Sequence, residues 1–414
     1  MIKHQIQPAD ISMQIIAATC AGIAIVASAF HFWPFENNKA WQMFNLQNSS
    51  ILVWSLFWAV LFLLNRNRRQ IITLMPHLSV FAYLGINVLS TAFASDRARA
   101  AGFTIKLALA LIGGYMLFSS AIFSKKTLQL IYALATAAMI ISLSACLTER
   151  FWFGWDKFGF HVNAYKYGTY IGILTPLCSA YLFTSSKNWK ITAGMILVFA
   201  AIISSGSFGA IAAIFAGVLT TAVIVPRWYV RTAILAAVIS GAGFLSLSNM
   251  NRFLPVSDDI RIIEKDGTNL KQRYIEWQAE INLLENRTIT GTAAGCINEY
   301  RSNFYYRLPK LNTLKPFDQN GWLAAGAETG IFGLVCFCWV VLHYGKMAFL
   351  KVIDFDWKKG RTIDRFAAAN FAGLSAACVA NLFSSVQYNG IVIIFVLVIA
   401  LISGTNRLSE ENLR

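Results

Sequence analysis

The sequence predicts an all-α polytopic membrane protein with about twelve transmembrane helices and one long loop that itself contains helix. Two observations carry this. Of the 414 residues, 57% are hydrophobic and 13% charged, whereas soluble domains hold roughly 45–50% apolar and about 25% charged residues; mean hydropathy is +0.54. Apolar stretches also recur near the length of about 20 residues that a bilayer requires. They fall near 11–30, 50–64, 71–93, 101–122, 127–147, 166–184, 191–205, 208–225, 232–248, 321–343, 366–385 and 389–404. A cytosolic enzyme, a secreted disulfide scaffold and a disordered tail are excluded. Between 191 and 225 a single crossing would be too long, so the chain is expected to turn within Ser204-Ser205-Gly206-Ser207.

Basic residues in short loops orient such a chain, because they stay on the cytoplasmic side. With the N-terminus inside, the inner segments hold eighteen Lys and Arg, including Arg66, Lys125, Lys187, Arg227, Lys346 and Arg407. The short outer loops hold six: Lys39, Arg97, Arg99, Arg150, Lys157 and Lys166. Both termini are therefore expected in the cytoplasm of a bacterial inner membrane and the 249–320 loop in the periplasm. The chain divides accordingly into helices one to nine (1–248), loop (249–320), and helices ten to twelve with a cytoplasmic tail (321–414). The net charge of +15 lies mostly on the inner rim, which fits anchoring to anionic lipid rather than nucleic-acid binding.

Six of the seven cysteines lie in the predicted spans and only Cys296 in the long loop, so that loop cannot close its own disulfide. Cys336 and Cys338 on one helix point about 200° apart, which is no metal pair; no metal or cofactor is expected. Ala27-Ser28-Ala29 resembles a signal-peptidase site, but the apolar stretch runs on through Phe30, Phe32 and Trp33, which favours an uncleaved first helix.

The 72-residue loop is too long for a connector, and loops of that length usually fold or function. Leu270, Tyr274, Trp277, Ile281 and Leu284 recur at helical spacing, with Thr268 or Asn269 able to cap the start. Arg273, Glu276 and Glu280 share another face. Two readings of Arg273 stay open: a solvated ion pair with Glu276 or Glu280, or a planar cation presented to a phosphate. Thr290-Gly-Thr-Ala-Ala-Gly-Cys296 reads as a turn allowing close backbone approach. Tyr300-Arg-Ser-Asn-Phe-Tyr-Tyr-Arg-Leu-Pro-Lys310 is an aromatic–basic cluster. It suits interfacial anchoring as well as a platform where Tyr305 stacks on sugar while Arg301 and Arg307 meet anionic groups.

Ionisable groups within a bilayer are costly and usually functional. Lys106 lies in the first turns of a span, near Arg97 and Arg99, where function and snorkelling are both open. Glu328 lies two turns inside the 321–343 span; Asn370, Asn381 and His343 complete the set. His343, near the cytoplasmic end, reads as a structural, snorkelling histidine.

Four stretches in order resemble the O-antigen ligase and polymerase superfamily of membrane glycosyltransferases. Phe158-Gly-Phe-His-Val-Asn-Ala-Tyr165 is similar to the family's Gly-Phe…Asn-x-Asn opening of a span. Ser205-Gly-Ser-Phe-Gly-Ala210 stands where the family has a Ser-Arg-Gly-Ala helix start. Arg273-Tyr-Ile-Glu-Trp277 leading to Gly291 and Gly295 resembles Arg-x-x-x-Trp…Gly-x-Gly. Gln319-Asn-Gly-Trp-Leu…Glu328-Thr-Gly-Ile-Phe-Gly-Leu334 resembles His-Asn-x-x-Leu…Glu-x-Gly-x-x-Gly-Leu. Two positions depart: the family's arginine is Phe208 here and its histidine is Gln319.

The resemblance implies a GT-C-like architecture and transfer of a glycan from undecaprenyl pyrophosphate to a lipid A–core or glycan acceptor, in lipopolysaccharide or exopolysaccharide assembly. It carries active-site roles to Arg273 and Asn320 and, less directly, to Lys106. A departing pyrophosphate needs cations aimed at it: Arg273 and Lys106 are the candidates, with Arg97 and Arg99 in reserve and Gln319 as a substrate contact. Gln319 cannot take a proton, so Asp318 is the candidate base, while Glu328 matches a glutamate of structural character. The alternatives are a transporter or flippase of lipid-linked glycan, and a family member without catalysis.

Overall fold

The computed structural model describes residues 16–25, 75–153, 164–185, 187–205, 207–225, most of 227–239, 243, 270–297, 300, 320–353, 362–386 and 391–411. The described residues are almost entirely helical. In chain order the helices are α1 (Ile16–Ile25), α2 (Leu78–Thr91), α3 (Arg97–Ala108), α4 (Tyr115–Ala121), α5 (Lys125–Phe153), α6 (Ala164–Phe183) and α7 (Asn188–Ser205). They continue with α8 (Phe208–Ile224), α9 (Leu270–Asn286), α10 (Gly321–Ile353), α11 (Thr362–Phe383) and α12 (Ile391–Glu411). Among the described residues, six stretches are long and apolar enough to cross a membrane: 97–121, 125–149, α7, α10, 363–383 and 391–410. The protein is a polytopic membrane protein; the expected 50–64 span lies outside the described residues.

Local chemistry sets several boundaries. In the described part of the expected 71–93 span, from residue 75, helix starts at Leu78. Pro76 precedes it, and His77 is extended (φ −61°, ψ 153°) with its side chain accepting the Ser79 N–H. Asp96 caps α3 by accepting the Arg99 N–H at 2.9 Å, and α3 then runs through a π-helical stretch, Leu109–Gly114, into α4. The chain does turn between Ser205 and Phe208, so 191–225 is two helices, with the Ser204 and Ser205 hydroxyls bonding back to the Ala201 and Ile202 carbonyls. α10 is ten residues longer than expected and is broken inside by Gly330 (φ 72°, ψ −176°).

α12 is the central post: every residue from Ile391 to Leu401 is buried. α6, α8 and α11 pack mutually beside it, and their approach depends on small residues, as membrane helix contacts do. A Cβ at Gly217 of α8 would stand 2.3 Å from Pro176 and 2.7 Å from the Ala372 carbonyl. Asn370 is consumed by this packing. It accepts the Tyr132 hydroxyl at 2.5 Å and donates to Thr405 at 2.9 Å, which gives the group a structural role.

The antiparallel helices define two ends. At one, Arg407 donates to the Ser119 and Ile122 carbonyls, Arg227 donates to Ser185 O at 2.9 Å, and His343 stacks on His77 with centroids 3.5 Å apart. The histidine thus has the structural role expected of it. The opposite end gathers Asp96, the α7–α8 turn, α9, the segment 288–297, Asn320 and the end of α11.

Candidate functional site

The site is built around the break in α10. A membrane-embedded helix cannot leave backbone groups unpaired, because no water replaces the lost bonds. The segment after α9 fills the gap. Thr292 N–H donates to Ala327 O at 3.0 Å, Ala293 N–H to Glu328 O at 2.8 Å, and Ile331 N–H to Thr288 O at 2.8 Å. Carbonyls of one arm and an amide of the other are therefore satisfied by one passing segment. Close approach explains two glycines. A Cβ on Gly330 would meet Ile289 O at 2.1 Å, and one on Gly291 (φ +63°) would meet Glu328 O at 2.2 Å. The expected turn at 290–296 is thus a plug in a broken helix.

Glu328 is 1% exposed and its Oε1 accepts the Gly295 N–H at 3.0 Å. The far side of the plug rests on α3. Ala293 and Cys296 pack on Ala100, a Cβ at Gly295 would lie 3.0 Å from Phe103, and Cys296 Sγ lies 3.7 Å from Asp96 O. α3 and α10 are therefore tied through the plug.

Lys106 and Arg99 are both exposed and sit seven residues apart. At 3.6 residues per turn they share the helix face that carries Phe103, beside the plug. Arg97, about 200° from Arg99 around the helix, does not join them. Three residues beyond Lys106 the helix becomes π-helical, a distortion found frequently at functional sites.

α9 lies against α10, with Leu283 clustered on Ala327 and Ile297 and Leu284 over Gly326. Its most buried face is Ala279, Glu280 and Leu283, while Trp277, Ile281 and Leu284 are half-buried. The sequence pattern placed the stripe one face away, and Glu280, which one of the two readings of Arg273 made a solvated ion-pair partner, is 1% exposed. Position 273 lies on the same helical face as 280; the Arg273 backbone is part of α9 and its side chain lies outside the described residues. Arg287, just past the helix, stacks over Tyr300 at 4.2 Å.

Asn320 caps α10: its Oδ1 accepts the Trp322 and Leu323 N–H groups at 3.0 and 3.3 Å. That is a side-chain N-cap, whose type stabilises a helix start. Against the next residue, Gly321, packs the buried Asn381, whose Oδ1 accepts the Val386 N–H at 2.9 Å. Asp318, Gln319, Arg301, Tyr305 and Arg307 lie outside the described residues. Among the described residues no group of three His, Cys, Asp or Glu could hold a metal.

Phe208, at the start of α8, meets Phe383 of α11 edge-on, and Phe383 meets Trp277 of α9 at 6.2 Å. An aromatic row thus joins three helices at this end, with Phe208 41% exposed. Phe383 was not singled out from the sequence, and nothing in its linear context (Asn381-Leu-Phe-Ser-Ser385) marks it.

Residues 193–338 match the family model described as O-Antigen ligase. The matched stretch starts in α7 and runs through α8, α9 and the plug to beyond the break in α10, so it contains most of the site. No match was found among curated proteins.

Proposed function

Because residues 193–338 match the O-antigen ligase family model, we propose that the protein is a membrane glycosyltransferase of the ligase or polymerase type. Its donor is a glycan on undecaprenyl pyrophosphate, and its acceptor is a hydroxyl of lipid A–core or of another glycan. The supporting observation is the plug: it continues from α9, whose Leu283 packs on α10, fills the broken helix, and rests on Phe103 of the α3 face that Arg99 and Lys106 share.

In this reading the acceptor oxygen attacks the anomeric carbon, the bond from that carbon to the pyrophosphate oxygen breaks, and the pyrophosphate leaves with the electron pair. Arg273 and Lys106 stabilise the departing charge, which is where fixed cations contribute most. Asp318 takes the acceptor proton in place of the family's histidine. Asn320 fixes the helix start that follows Asp318 and Gln319. Arg301, Tyr305 and Arg307 hold sugar and anionic groups of the substrates.

The break in α10 supports transfer over transport. Broken helices in transporters present free backbone groups to an ion or substrate, whereas here the chain itself occupies Ala327 O, Glu328 O and Ile331 N–H. Deleting the gene and analysing surface polysaccharide together with undecaprenyl-linked intermediates tests the reading. Long polymer left on undecaprenyl, with bare lipid acceptor, is the ligase outcome; single repeat units left or transferred singly is the polymerase outcome. Intermediates retained on the cytoplasmic face, or no change, would overturn it.

A further inference from the structure

Ala293 is the one described non-glycine residue with positive φ, 74°. For an L-residue this left-handed backbone is unfavourable, and such strain persists only where the surroundings over-determine it. One residue holds both sides of it. Glu328 accepts the Ala293 N–H with its backbone carbonyl at 2.8 Å and the Gly295 N–H with its carboxylate at 3.0 Å. The turn is closed between them by Cys296 N–H on Ala293 O at 3.1 Å, and it delivers Cys296 against Asp96 of α3.

We infer that Glu328 is a positioning residue. By holding Gly295 through its side chain it locks the strained 293–296 turn between α10 and α3, and so fixes where α9 and position 273 stand relative to Arg99 and Lys106. The backbone bonds to Ala327 and Glu328 hold residues 292 and 293 whatever side chain stands at 328. Residues 294–296 depend on the carboxylate, because the Thr292 and Ala293 N–H groups meet backbone carbonyls whereas the Gly295 N–H meets the Glu328 side chain. Burial makes that bond count: Glu328 is 1% exposed, and a buried acceptor that loses its donor carries the cost of an unmade hydrogen bond. The inference rests on the proposed transfer reaction for its catalytic consequence, but its geometric part does not.

Cys296 supplies a readout independent of turnover. Its side chain is 0% exposed and it is the loop's own thiol, so a maleimide reaches it only when the turn leaves α3. The experiment compares wild type, Glu328→Gln and Glu328→Ala in detergent. It measures Cys296 labelling by peptide mass mapping, and kcat and donor KM per folded protein. The glutamine keeps an oxygen for the Gly295 N–H and is expected to stay within about three-fold of wild type in both. The alanine is expected to label at least ten-fold faster and to lose at least ten-fold in kcat with donor KM nearly unchanged, since a shift of about 1 Å in a positioning element can cost 10²-fold.

Where the alanine variant does not fold, Glu328→Asp, which withdraws the carboxylate by one methylene, gives the same comparison. Wild-type labelling in the alanine or aspartate variant overturns the inference, as does faster labelling without loss of kcat. A glutamine variant that behaves like alanine overturns the hydrogen-bond account. If wild type transfers no glycan at all, the functional reading fails while Cys296 labelling still decides the clasp.

Discussion

The ring of Phe208 meets that of Phe383 nearly perpendicular, at 73° with centroids 5.6 Å apart, at the position where the related ligases resembled by this sequence carry an arginine. The approach is close because a Cβ at the neighbouring Gly209 would stand 2.4 Å from Phe383. The first helical position of α8 is thus used for aromatic packing, and in the proposed reaction the charge of the pyrophosphate is left to cations of α9 and α3.

That arrangement makes Phe208→Arg informative. The exchange gives up one edge-to-face contact, roughly 0.5–1.5 kcal/mol. It gains a charge-assisted hydrogen bond to the donor, roughly 1.5–3 kcal/mol, because Phe208 is already 41% exposed and a longer side chain has room. The difference, about 1 kcal/mol, predicts donor binding tighter by around five-fold, measured by titrating undecaprenyl pyrophosphate into the detergent-solubilised protein. Binding unchanged or weaker would separate position 208 from the donor's anion.

Gly330→Ala is expected to be among the most destabilising single-methyl additions in the chain. The backbone there (φ 72°, ψ −176°) lies in a region essentially closed to other residues, at a cost on the order of 1–3 kcal/mol. The added carbon would also stand 2.1 Å from Ile289 O. Opening that contact breaks the bond from Ile331 N–H to Thr288 O. Thermal unfolding should show a large loss of stability together with faster labelling of Cys296. An unchanged midpoint would mean that the helix can straighten without the plug.

Much of this was legible in the sequence because membrane physics writes itself into composition. The apolar lengths placed α5 to α8 and α10 to α12 to within a few residues, except at the C-terminal ends of α5, α10 and α12, which run six, ten and seven residues further. The Ser204–Ser207 turn was identified because one crossing could not hold 35 residues. The plug was not legible. Thr290–Cys296 announced a turn and Gly330 a weak point, but their complementarity is between segments some forty residues apart, and periodicity reports only neighbours along the chain. The burial of Glu280 was missed for a related reason: charge suggests solvent, and only the docking of α9 on α10 makes its face internal. Phe208 read as a missing arginine, because its partners Phe383 and Trp277 come from two other helices.

The intramembrane polar residues separate by partner. Asn370 is held on both sides, by Tyr132 and Thr405. Asn370→Leu should therefore leave turnover per folded protein unchanged. Interhelical hydrogen bonds in membranes average about 0.6 kcal/mol each, so losing two and stranding a hydroxyl should cost about 1–2 kcal/mol in unfolding. A fall in kcat with unaltered stability would place Asn370 in the reaction instead.

Arg273 and Asp318 are assigned opposite tasks, and their variants should fail differently. Arg273→Ala removes a cation that acts on the leaving pyrophosphate; loss of one such transition-state donor typically costs about 10²–10³ in kcat. A lysine there should recover only part, because a point charge lacks the planar fork that meets two phosphate oxygens at once. Asp318→Asn removes the proton acceptor; general-base assistance is worth about 10²–10⁴, so most transfer should disappear while donor binding is kept. The two are told apart by the slow background reaction in which water replaces the acceptor. Arg273→Ala slows hydrolysis and transfer alike, since both expel the same leaving group. Asp318→Asn slows transfer to the acceptor hydroxyl while donor binding, measured by titration, stays at the wild-type value. Full transfer by Asp318→Asn would remove that residue from the reaction, and unchanged kinetics in Arg273→Ala would return the arginine to an ion pair on the surface of α9.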